Sequence, residues 1–104
     1  MSFRPPSRTS HATVQEAFFD ALGHEVLAEK AASLGRAGER MERALAALAG
    51  LDREVPERSA AIRASADAVY AYFIQRELCG FRRHEDIIRD YKIPREVLVR
   101  LGAK

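Results

Sequence analysis

The 104-residue chain has one cysteine, no tryptophan, four prolines and six glycines. A single cysteine, Cys79, excludes an internal disulfide framework. Strand-favouring residues are scarce, with six valines, five isoleucines, five phenylalanines and three tyrosines. No apolar run approaches the ~20 residues that cross a bilayer; the longest uncharged stretch in the apolar second half is Ala68 to Gln75. The N-terminal Met1 to Ser10 lacks the apolar core of a secretory signal, and Pro5-Pro6 interrupts the amphipathic period a transit peptide needs. There is no glycine-rich phosphate loop, no nucleophile elbow and no paired zinc motif. The expectations are a cytoplasmic protein without a membrane segment, and not an enzyme.

What is present is alanine, leucine, arginine and glutamate, the composition of helices. Eighteen alanines stand among 49 apolar residues, leaving 31 larger apolar side chains, enough for one compact domain. The net charge of +2 is unevenly placed. Residues 12–75 carry seven basic and ten acidic groups, whereas residues 76–104 carry eight basic and five acidic. The basic tail reads first as a solvated helical surface and second as an anion-facing one.

Residues 1–12 read as a flexible leader and 13–104 as a single helical domain. Thr13 with Glu16 forms a capping-box pattern, and Val14, Phe18, Leu22 and Val26 follow at four-residue steps. Leu27, Leu34, Met41 and Leu48 recur every seven residues, with Ala31, Gly38 and Leu45 between them, the layout of a helix–helix seam. Gly35 and Gly38 could break the helix, but the register runs through them without a phase slip. One long helix over about 13–49 is expected, with Ala31, Gly35, Ala37 and Gly38 small because another helix backbone approaches. Gly50 closes it, and Pro56 opens a second, alanine-rich helix over about 57–79. The second half of that helix, Ala68 to Ile74, is apolar on several sides and so calls for partners on several sides. Two short helices, about 84–91 and 94–101, complete the chain.

The expected fold is all-α: a long antiparallel helical hairpin with two short C-terminal helices, assembling as a helical-bundle dimer. At 1.5 Å per residue the first helix spans about 55 Å and the second about 35 Å, so the first overhangs by about 20 Å. The short helices and a second subunit are each expected to cover part of its N-terminal half. The interface candidates are Phe18, Leu22, Leu27, Ala31, Leu34, Gly38, Met41 and Leu45. The expected role is protein–protein interaction or scaffolding through homo-oligomerisation, as a homodimer, with an unidentified protein partner as the further option.

Three constellations could carry chemistry. Glu16, Asp20 and His24 share a helix face, as metal ligands can, but exposed helices show this pattern often and no second Glu-x-x-His pair exists. Cys79 and His84 could pair as thiolate and imidazole, yet no third orienting residue is evident, and a cysteine ending an apolar helix reads as core. No metal or cofactor is expected. Asp86 to Leu101 has the apolar spacing of a helix-turn-helix, with Ile87, Ile88 and Tyr91 inside, Ile93 as the plug, and Val97, Leu98 and Leu101 inside. A DNA-binding regulator is therefore the alternative, with Arg89, Lys92, Arg95 and Arg100 as nucleic-acid candidates and Glu96 and Val99 also outward. Three features depart from that pattern: the bulk of Ile88, Lys92 where a left-handed glycine is usual, and a reading helix of two turns.

The segments Leu27-Ala28-Glu29-Lys30-Ala31-Ala32-Ser33-Leu34-Gly35-Arg36-Ala37-Gly38-Glu39-Arg40, Gln75-Arg76-Glu77-Leu78-Cys79-Gly80 and Tyr91-Lys92-Ile93-Pro94-Arg95-Glu96-Val97-Leu98 resemble a family of small all-α bacterial proteins of unknown function, over roughly residues 15–102. The resemblance implies a bacterial cytoplasmic origin and brings no functional residue with it.

Overall fold

The computed structural model describes residues 10–103, with side chains from Thr13 onward. Four helices follow in order: α1 (Ser10–Ala49), α2 (Glu57–Leu78), α3 (Glu85–Asp90) and α4 (Arg95–Leu98). The fold is all-α, with no strand among the described residues. Residues 1–9 of the expected leader lie outside the described residues, and residues 10–12 are already helical. Thr13 is consequently inside α1, which is already helical at Ser10, so the Thr13–Glu16 pattern does not mark its start. Gly35 and Gly38 leave α1 unbroken, as the seven-residue register requires.

The described residues divide into two units between Ala31 and Ala32. In the first, every described side chain from Thr13 to Ala31 is exposed. In the second, Ala32–Ala49 of α1 runs alongside α2. A Cβ on Gly38 would lie 3.2 Å from Tyr72 Cε1, and the Ser65 hydroxyl donates to the Ala44 carbonyl at 3.2 Å. Contact positions on α2 thus fall from 72 to 65 as those on α1 rise from 38 to 44, so the two segments run antiparallel. Met41 and Leu48 from α1 interleave with Ile62, Ala66, Val69 and Phe73 from α2. Ile87, Ile93 and Val97 close the same core from the tail. Ser65, the one buried polar residue among those described, is satisfied by its bond to Ala44.

Helix ends show why the tail turns where it does. After α2, Phe81 N–H donates to the Arg76 carbonyl at 2.9 Å and Gly80 N–H to Glu77 at 3.0 Å, with Gly80 at φ +98°. That is a Schellman motif, which satisfies carbonyls the helix leaves open. The same bonds recur after α3, from Ile93 to Ile88 at 3.1 Å and from Lys92 to Arg89 at 3.2 Å. Lys92 occupies the left-handed position there, at φ 51°, so the turn forms without the usual glycine. Pro94 is extended (φ −65°, ψ 148°) and starts α4. The fourth helix is shorter than the expected 94–101. It gives way after Leu98 to i→i+3 bonds, Arg100 to Val97 and Leu101 to Leu98, which tighten the backbone out of α geometry.

Candidate functional site

Val14, Phe18, Leu22 and Val26 advance about 40° per step around α1, placing all four within a sector of about 120°. Phe19 lies just outside it, its ring edge-on to Phe18 with centroids 5.8 Å apart. Phe18 and Phe19 are 60% and 64% exposed, and Val14, Leu22, Val26 and Leu27 are exposed too. Four carboxylates (Glu16, Asp20, Glu25, Glu29) against Lys30 give residues 13–31 a net charge of −3. Of the interface candidates, Phe18, Leu22, Leu27 and Ala31 are thus exposed and Leu34 is half-buried. Met41 is completely buried within this chain, Leu45 packs against the same core, and Gly38 faces Tyr72. Those three belong to the intrachain seam, because α2 already occupies their side of α1. Gly35 and Ala31 meet no approaching backbone: Ala31 is exposed, and a Cβ on Gly35 would touch nothing within 4 Å.

A polar cluster closes the C-terminal end of α2. Arg76 Nε donates to His84 Nδ1 at 3.1 Å, and its Nη2 donates to the Arg83 carbonyl at 2.9 Å. Since Nδ1 accepts, the ring's other nitrogen carries the hydrogen, and Nε2 donates to Glu77 Oε2 at 2.9 Å. The imidazole stacks on Phe73 at 4.1 Å with 3° between planes, while the Arg76 guanidinium lies 5.0 Å from the Phe81 centroid. Both ring nitrogens are therefore engaged, by Arg76 and Glu77. A cavity of about 530 Å³ borders this cluster, lined by Arg76, Arg82, Arg83 and Arg89 with Phe81, Glu85 and Asp86. Sequence reasoning missed the cluster. Its only sequence signal is the seven-residue spacing of Glu77 and His84 about a glycine turn.

In the tail, Arg89, Lys92, Arg95 and Arg100 are all exposed. Arg89 pairs with the neighbouring Asp90 at 3.2 Å. Glu96 is not free to face outward, because it pairs with Arg58, whose Nη1 also donates to the Leu51 carbonyl at 3.4 Å. A Schellman turn joins α3 to α4, and α4, the element expected to read a major groove, has four residues. Among the described residues no group of three or more His, Cys, Asp or Glu side chains converges as a metal site would, and none of their helices is long and apolar enough to cross a membrane.

A second cavity, of about 400 Å³, lies beside the end of α1, lined by Leu45, Leu48, Tyr91 and Pro94 with Glu42, Arg58 and Lys92. Tyr91 donates to Glu42 Oε2 at 3.0 Å. That bond first, then burial, then the Glu42 charge raise the phenol above its ordinary 10.0. Folding therefore favours the protonated phenol. The stabilisation is complete below pH ~10, the unfolded value, and is lost as pH rises through the higher folded one. Tyr91→Phe is expected to cost about 0.5–1 kcal/mol at neutral pH and to lose less stability than the parent between pH ~8 and pH ~11. Urea unfolding at both values checks this, and equal losses in the two proteins would refute it.

Over residues 1–104 the chain matches the model of a family of unknown function. No curated protein and no solved structure matches it.

Proposed function

The chain belongs to DUF6665, a family of unknown function, and since membership brings no activity with it, we propose from its own residues that the protein is a self-associating helical interaction module. The observation that carries this reading is the exposed face of Val14, Phe18, Leu22 and Val26, with Phe19 at its edge. A helix segment of this length with no buried side chain has only backbone propensity to hold it, and that is marginal in water. Its interior glycine, Gly23, weakens propensity further. Large contiguous apolar surfaces on soluble proteins mark interaction sites. Association through this face supplies the packing that the segment lacks. Homodimers in the cytoplasm, serving as a scaffold, are the simplest form of this reading.

The test is solution mass by sedimentation or light scattering at micromolar concentration. The expected species has twice the 11.6 kDa of the chain. Phe18→Asp with Leu22→Asp is expected to give the single-chain mass while the core of residues 32–103 keeps its helicity, because both side chains are exposed. A parent protein that stays at single-chain mass up to ~100 µM, a concentration where weak dimers of ~10 µM affinity are mostly formed, would overturn the reading.

A further inference from the structure

The cavity of about 400 Å³ beside the end of α1 combines an apolar lining with a few charged side chains. Glu42, Leu45, Ala46 and Ala49 stand at positions i, i+3, i+4 and i+7 of α1, so one helix face supplies its wall. Both alanines are exposed, and their methyl groups are too small to fill the hollow. Leu48, almost fully buried, also lines it, and Pro94 adds a rigid apolar ring from the turn before α4. All of these residues belong to the second unit. The volume falls within the roughly 300–1,000 Å³ of small-molecule sites.

Two of the three charged groups in that lining are already engaged. The Glu42 carboxylate accepts the Tyr91 hydroxyl at 3.0 Å. The Arg58 guanidinium pairs with Glu96 and donates to the Leu51 carbonyl at 3.4 Å. The third, Lys92, is exposed and pairs with no carboxylate among the described residues. It also holds the left-handed position of the turn, at φ 51°, which glycine fills without strain. A lysine thus stands where the backbone favours another residue, beside an apolar hollow whose lining sets two cations against one anion. The geometry points to a binding site for a small carboxylate with an apolar body, of the class of medium-chain aliphatic acids. The chain of such a ligand lies against Leu45, Ala46 and Pro94, and its carboxylate meets the Lys92 ammonium.

Octanoate is the probe, followed through the amide chemical shifts of the isotope-labelled full chain. Saturable shifts are expected at Leu45, Ala46 and Lys92, with a dissociation constant on the order of 1 mM or below. Octylammonium, with the same chain and the opposite charge, is expected to bind at least about fivefold more weakly. Ala46→Trp, at an exposed position, fills the hollow and is expected to remove saturable binding. Lys92→Gly is expected to weaken octanoate about threefold and, because glycine suits φ 51°, to unfold at no lower urea concentration than the parent. The absence of saturable shifts at these amides up to about 5 mM octanoate overturns the site, and so does binding that Ala46→Trp leaves unchanged. Equal affinity for octanoate and octylammonium overturns the pairing of carboxylate with Lys92. A Lys92→Gly protein that binds like the parent, or that unfolds at lower urea, overturns it as well.

Discussion

Met41→Ala is expected to lower the unfolding free energy by about 2–5 kcal/mol, the range for truncating a fully buried large side chain. Met41 has no exposed surface and sits in one cluster with Leu48, Val69 and Val97, contributed by α1, α2 and the tail. A compact unit of about 70 residues holds roughly 4–10 kcal/mol in all, so this one substitution removes a large fraction of it. The informative control is Leu27→Ala, studied at a concentration where the chain is monomeric. Leu27 is in the same seven-residue column as Met41, but it is 65% exposed. Its truncation is expected to change the stability of the monomer by less than about 0.5 kcal/mol. Denaturant midpoints at unchanged slope give both values. A Met41→Ala cost near that of Leu27→Ala would mean that the α1–α2 seam is not closed.

Two glycines three residues apart are expected to respond with opposite signs. Gly38→Leu should cost about 1–3 kcal/mol net, because its first added carbon already lies 3.2 Å from the Tyr72 ring, which must shift to admit a branched side chain. Gly35→Ala should instead stabilise by roughly 0.8–1 kcal/mol, the difference in helix propensity, since nothing lies within 4 Å of the new methyl. Arg40→Leu, at an exposed position of the same helix, should stay within about 0.5 kcal/mol. Thermal or urea unfolding of the three variants decides the matter. Equal tolerance of Gly38→Leu and Arg40→Leu would show that Tyr72 does not rest against Gly38.

The contrast between these glycines also shows what could be read along the chain. Helix class, the unbroken passage of α1 through residues 34 to 41, the start of α2 after Pro56 and the tail turn before Pro94 all follow from local terms: propensity, periodicity and the missing proline N–H. The start of α1 was misread because a capping box describes side-chain options at a helix end and does not decide where the end falls. The length of α4 was misread because apolar spacing at 97, 98 and 101 is met equally by a short helix and by the i→i+3 turns that follow it. The Arg76–His84–Glu77 cluster was not legible at all, since it needs the Gly80 turn to bring His84 back onto Phe73.

By itself the sequence determined that this protein is helical, where its chain reverses, and that its alanines, glycines and larger apolar residues alternate in helical register. Those properties depend on neighbours within a few positions. Only the tertiary structure decided which apolar residues are core and which are surface. Leu27 and Met41 are equivalent in spacing, but Met41 is buried in the core it shares with α2 and Leu27 is exposed. The scarcity of bulky apolar residues proved less informative than their distribution: Met41, Leu48 and Val69 are sealed inside one unit, while Phe18, Leu22 and Leu78 are exposed.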